Sequence, residues 1–143
     1  MSFRYFYLFT ALFMSLFSAN SLQAGSRHDA SHAHKNAQQQ IAHLSDDNFH
    51  SAISSGIYIV DFYADWCGPC KKLAPSFAEL ANERHSQLHF AKVNIDHADG
   101  VAREFKVKSI PTLIIFKDGV ELARRVGGGN KAAIEGFIDS SIK

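Results

Sequence analysis

The chain carries only two cysteines in 143 residues, and they lie three apart where one kind of secondary structure gives way to another. The stretch reads Asp61-Phe62-Tyr63-Ala64-Asp65-Trp66-Cys67-Gly68-Pro69-Cys70-Lys71. Before it, Ile57-Tyr58-Ile59-Val60 is β-branched and aromatic, the composition of a buried strand. After it, Leu73, Phe77, Leu80 and Ala81 recur at helical spacing and share one face. Any fold of this chain must therefore bring the end of a buried strand to the start of a helix, with both thiols at the junction.

That junction has chemical consequences. Pro69 suits the first turn of a helix, where a missing N–H is no loss. Cys67 then lies at the helix N-terminus, among unpaired backbone N–H groups and at the positive end of the helix dipole. Such a place favours thiolate over thiol, and the thiolate is the nucleophile. Cys70, three residues on, comes round to nearly the same face. The pair is close enough to form a disulfide across about one turn, near the roughly 5.5 Å Cα separation such bonds prefer. Lys71 and Lys72 add positive charge and are expected to point to water.

Two plainer readings compete. A Cys-x-x-Cys can be half of a zinc site, but zinc takes four ligands and no second such pair exists here. Histidines or a second copy of the chain would have to supply the rest. A purely structural disulfide is the other, but so short a loop constrains the unfolded chain very little. Redox chemistry is the reading with a physical reason behind it.

Trp66-Cys67-Gly68-Pro69-Cys70 resembles the active-site motif of the thioredoxin family, and the likeness extends over roughly Ile41 to Lys143. Asp61 resembles the family's buried aspartate below the active site, and Lys92 the lysine of the next strand near it. Pro75 resembles the proline that kinks the active-site helix. Ile110-Pro111-Thr112 resembles the cis-proline turn facing the cysteines. Phe116-Lys117-Asp118-Gly119 resembles the family's hairpin, and Gly127 its late glycine. Tyr63 departs from the tryptophan that many relatives carry, and Ser109 from a frequent glycine. Neither touches the sulfur chemistry.

The first residues read as an address. Arg4 precedes an almost wholly apolar run of about thirteen residues, Tyr5 to Phe17, and small and polar residues follow to Ala24. That order is the order of a secretory signal peptide. The run is short of the roughly 20 residues of a spanning helix. Residues 1–24 are read as the signal, with cleavage expected after Ala24 and Ser21 as the competing site. If the signal stays uncut, it anchors the chain in the membrane.

Residues 25–40 form a His- and Gln-rich linker without apolar periodicity, expected to be flexible. His28, His32 and His34 cluster in it, with His43 beyond. Weak metal binding and a merely solvated linker are both open to such a tract, and the second is the expectation. Removing residues 1–24 takes away one arginine and no acid, so basic and acidic residues go from 15 against 14 to 14 against 14. A nucleic-acid partner would need a basic face, so none is expected.

Residues 41–143 are read as one domain. Ile41–Leu44 is a short edge strand. Ser45 is expected to cap a helix that runs through about Ser54, with Asp46 and Asp47 in its first turn. A strand over Ile57–Tyr63 precedes the active-site helix from Pro69 to about His85, bent at Pro75. Leu88–Ile95 alternates as a strand, and Ala98–Phe105 is a short helix. Thr112–Lys117 and Val120–Val126 form a hairpin on the turn signal Asp118-Gly119. Gly129 or Asn130 opens a last helix with Ile134, Phe137 and Ile138 on its buried face. This alternation predicts an α/β fold, a central mixed β-sheet with helices on both faces, which is also the thioredoxin fold that the resemblance implies.

Asp61 interrupts a strand that is apolar on both sides, so it is expected to be buried with a raised pKa. The resemblance implies the roles. Cys67 attacks, Cys70 resolves, and Asp61 moves a proton when Cys70 reacts. Lys92 modulates Asp61. Trp66, Gly68, Pro69, Ile110, Pro111 and Gly127 border the partner protein's chain.

The expected function is that of an exported thiol–disulfide oxidoreductase working on protein disulfides and dithiols through Cys67 and Cys70. The Gly-Pro between the cysteines resembles the family's reducing members, so the expected direction is reduction. The thiols suffice, and no cofactor or metal is expected. The chain is read as a monomer of the bacterial periplasm, supplied by a membrane electron donor and serving electron transport and redox homeostasis. The rival readings are a thioredoxin-fold binding subunit and a metal-handling protein, in both of which the cysteines are not turned over.

Overall fold

The computed structural model describes residues 40–143. The signal and linker readings fall outside the described residues, apart from Gln40, which stands in a turn. In chain order the elements are β1 (Ile41–Leu44), α1 (Phe49–Ile53), β2 (Ile57–Tyr63), α2 (Gly68–Arg84), β3 (His89–Asn94), α3 (Asp99–Glu104), β4 (Thr112–Lys117), β5 (Val120–Val126) and α4 (Lys131–Ser141). The strands join one sheet in the order β1-β3-β2-β4-β5. β3 runs parallel to both β1 and β2, whereas β4 is antiparallel to β2 and to β5. This is the mixed α/β architecture that the alternation predicts.

β2 sits in the middle because both of its faces are apolar. Ile59 packs with Leu73, Phe77 and Leu80 of α2 and with Ile134 and Ile138 of α4. Val60 and Phe62 point the other way, into a cluster with Phe49 and Ile53 of α1 and Val101 of α3. Strand alternation thus divides one short run between two cores. Phe49 is the hub of the second, its ring 5.3 Å from Phe105 and 5.6 Å from Phe116. The β4–β5 turn places Asp118 at φ 49° and Gly119 at φ 82°. Two successive positive φ values are what a two-residue hairpin needs, and Asp and Gly tolerate them.

α2 runs through Pro75, which removes the N–H that would reach the Lys71 carbonyl. Elsewhere the helix and strand ends fall within a residue of expectation, with one correction. Ser45 does not cap α1 with its side chain. Its backbone N–H instead donates to Asn48 Oδ1 at 2.8 Å, and the helix begins at Phe49. Asp46 serves a different helix. Its carboxylate accepts the N–H groups of Gly100 at 3.3 Å and Val101 at 2.8 Å. α3 begins after Ala98, which has no capping side chain, so Asp46 reaches across the fold to supply one. Asp46→Ala is expected to lower stability by about 1 kcal/mol, the value of an N-cap. A thermal melt checks this, since a domain of this size loses about 4–8 °C per kcal/mol. An unchanged melting temperature would show that water replaces the cap without loss.

Candidate active site

β2 delivers its last residues to the start of α2 within a four-residue connection, Ala64 to Cys67. Cys67 is the N-cap of α2, with extended backbone (φ −79°, ψ 108°), and Gly68 and Pro69 form the first turn. The Cys67 Sγ accepts the backbone N–H of Cys70 at 3.2 Å. One of the helix's unpaired donors therefore points at this sulfur and favours negative charge on it. Cys67 and Cys70 are bonded to each other, with their Cα atoms 5.3 Å apart. The two are almost equally covered, 4% and 3% exposed, so burial does not distinguish them. Position does, because Cys67 stands at the helix mouth and Cys70 within the first turn. Ala64 is buried with them, and Tyr63, Ile95 and Ile110 pack around.

Asp61 lies two residues after Ile59 and so faces the same side of the sheet as α2. It is wholly buried, and neither carboxylate oxygen has a hydrogen-bond partner among the described residues. Its cross-strand neighbour is Lys92, as the β2–β3 register dictates. The Lys92 Nζ stands 3.7 Å from Asp61 Oδ2, an ion pair too long for a hydrogen bond. Burial pushes the Asp61 carboxyl up to about 6, and the Lys92 ammonium pulls against it without prevailing. Lys92 is itself mostly covered, 16% exposed, and its Nζ lies 4.2 Å from the centroid of the Tyr63 ring. Burial, and after it the charges of Asp65 and Asp61, raise the Tyr63 phenol above its usual range. The lysine thus points inward to the pair and not into solvent.

Two further loops converge on the cysteines. The Ile110–Pro111 bond is cis, and Thr112 Oγ1 donates to Ser109 O at 2.6 Å across that turn. At the end of β5, Gly127 takes φ 91°, a value side chains avoid, and its N–H donates to Pro111 O at 2.8 Å. Gly128 follows so closely that a Cβ on it would lie 3.8 Å from the Pro69 carbonyl and 3.9 Å from the Pro111 ring. Trp66, Gly68, Pro69, Ile110, Pro111 and Gly127 therefore meet around one disulfide, although three separate stretches of chain supply them.

Trp66 is 68% exposed, and its indole N–H donates to Asp96 Oδ2 at 2.9 Å. Asn94 continues the network, donating to Asp65 at 3.2 Å while its Oδ1 accepts the Asp96 N–H. Sequence reading passed over Asn94 and Asp96. Nothing in a polar loop after a strand says which side chain will meet a tryptophan some thirty residues away. Among the described residues, no three histidine, cysteine or carboxylate side chains gather around a point that would hold a metal ion.

The family model for thioredoxin matches residues 40–140. A thioredoxin of Acidithiobacillus ferridurans is 41% identical over 104 residues, 71% of this chain and 96% of that protein. A thioredoxin of Chlamydia pneumoniae is 46% identical over 96 residues, 67% of this chain and 93% of the relative. Thioredoxin Asp f 28 of Aspergillus fumigatus is 44% identical over 87 residues, 61% of this chain and 80% of its own length. A helix-mouth disulfide on a five-stranded mixed sheet and these matches agree: the chain belongs to the thioredoxin family and is a protein-disulfide reductase, a thiol–disulfide oxidoreductase.

Proposed function

We propose that the chain is an exported reductase of protein disulfides, anchored or free in a bacterial periplasm, working as a monomer and re-reduced by a membrane electron donor. Cys67 is its nucleophile, and the observation that carries this assignment is the Cys70 N–H directed at the Cys67 sulfur. The Cys67 thiolate attacks one sulfur of a substrate disulfide. A Cys67–substrate S–S bond forms, and the substrate's other sulfur leaves as thiolate. Cys70 then gives up its proton and attacks Cys67. The Cys67–Cys70 disulfide forms, and the substrate's second sulfur leaves. The substrate has gained two electrons, the chain has lost two, and two protons end on the released thiols.

Asp61 is the group that takes the Cys70 proton. A carboxyl raised to about 6 is ionised near neutrality yet basic enough to accept one. Lys92 keeps that carboxyl from rising further. Trp66, Gly68, Pro69, Ile110, Pro111 and Gly127 border the groove in which an extended substrate segment lies, pairing with backbone at Ile110.

Export rests on the sequence before the matched domain. Arg4, the apolar run Tyr5 to Phe17 and the small residues to Ala24 precede the stretch that the family model covers. The test is to express the full chain in a bacterium, fractionate it, and determine the N-terminal residue and the thiol state after acid quench and alkylation. A chain beginning at Gly25 and mainly dithiol outside the cytosol is the expected result. A chain kept in the cytosol with Met1 intact would sink export. A periplasmic chain that is mainly disulfide would mean an oxidant role or an idle enzyme, and would overturn the reducing role proposed in that compartment.

A further inference from the structure

We infer that Arg125 is a positioning residue for substrate docking, acting by fixing the glycine run that borders the disulfide. The inference rests on the groove proposed above. Gly127-Gly128-Gly129 is the least restrained kind of backbone, since glycine has the most conformational freedom to lose. This run must nevertheless hold its place beside Pro69 and Pro111. Its first residue is tied by the Gly127 N–H to Pro111 O. Its far end is tied by Asn130, whose side chain accepts the Ala133 N–H at 3.0 Å and caps α4. Between these ties stands Arg125.

Arg125 pairs with Leu113 across the β4–β5 ladder, so it points to the face that α2 and α4 cover. Its neighbour Arg124 is engaged elsewhere, with Glu121 and the Phe105 carbonyl. The Arg125 side chain turns back along its own chain, and Nη2 donates to Gly128 O at 3.3 Å. Gly129 lies against the same nitrogen, so that a Cβ there would come within 3.2 Å of it. The guanidinium thus holds one glycine by its carbonyl and lies close enough to the next that a side chain there would crowd it. Arg125 Nε is buried without a partner among the described residues, a penalty that a merely space-filling side chain would avoid. A loop ordered in advance spares the substrate the entropy of ordering it on docking. Arg125 touches neither sulfur, so its effect belongs to binding and not to the exchange step.

The experiment mixes the reduced chain, under single-turnover conditions, with a rising excess of an extended peptide dimer joined by a disulfide. Arg125→Ala is expected to raise the half-saturation concentration about tenfold, the order of the cost of fixing the freed loop on docking, and to leave the limiting rate unchanged. The redox equilibrium with glutathione stays where it was, and amide exchange at Gly128, Gly129 and Asn130 quickens. Arg125→Lys, which restores one donor to Gly128 O, recovers part of the loss. Gly129→Ala crowds the guanidinium and, at the same 3.2 Å, Ala133 Cβ, so the part of its effect that passes through Arg125 is shared and the two substitutions fall short of adding. Trp66→Ala separates the two layers of the argument. If it raises half-saturation while a folded Arg125→Ala does not, the groove stands and the role of Arg125 falls. If neither variant moves it, the groove and the inference fall together. A lowered limiting rate in Arg125→Ala, or full additivity with Gly129→Ala, likewise overturns the inference.

Discussion

Cys67→Ser abolishes the reduction of protein disulfides, a loss on the order of 10⁴-fold, whereas Cys70→Ser stops the reaction halfway with substrate bound. A serine hydroxyl at position 67 has no accessible anion at neutral pH, and the Cys70 N–H that would stabilise a thiolate there has nothing to act on. In Cys70→Ser the attacking thiolate is intact, so the mixed disulfide forms. No second thiol follows to release it. Gel electrophoresis without reductant shows this directly, because the Cys70→Ser chain runs as a covalent adduct that dithiothreitol dissolves. Adduct with Cys67→Ser in place of Cys70→Ser would exchange the two roles. Turnover that survives both substitutions would mean that the disulfide at the mouth of α2 is not the reacting centre.

Asp61→Asn makes the oxidised chain more stable near pH 7 by about 2–3 kcal/mol while slowing its chemistry. The Asp61 carboxyl has a folded pKa of about 6 against an ordinary value of 3.8. The folded state therefore holds the proton more tightly than the unfolded one. Stability from this group is fully present below pH 3.8 and is lost as pH rises through about 6. A difference of about two pKa units amounts to about 3 kcal/mol, and the wild-type chain lacks that stability at neutral pH. Asparagine cannot ionise, so the variant loses the slope between pH 4 and 6 and gains at pH 7. Urea unfolding of both chains across that range makes the comparison. Release of the mixed disulfide slows by about a hundredfold, because no carboxylate receives the Cys70 proton. A variant with the wild-type pH slope would place the titration elsewhere, and one with the wild-type release rate would free Asp61 of the proton.

These two predictions draw on residues that sequence reading reaches unaided. The change from strand to helical period between Val60 and Leu73 puts both cysteines at a helix mouth, because hydrogen bonds that begin a helix are local and Pro69 suits its first turn. A carboxylate within an apolar strand announces its own burial, and Asp61 is buried. The hairpin is equally local, since Asp118 and Gly119 supply the positive φ values that the turn needs.

Other features depend on which strands lie side by side. Lys92 meets Asp61 only because the parallel β2–β3 register sets them opposite each other, so the strand pattern alone leaves its direction open. Asp46 sits where its own helix was expected to use it, yet caps α3 more than fifty residues away. Trp66 finds Asp96, thirty residues along the chain, for the same reason. By itself the sequence determined the elements, the reacting pair and the buried acid, since short-range hydrogen bonding and hydrophobic period specify them. Only the tertiary structure decided which polar side chains complete the site, because a side chain's partner across the fold is chosen by sheet order and register, which no local stretch encodes.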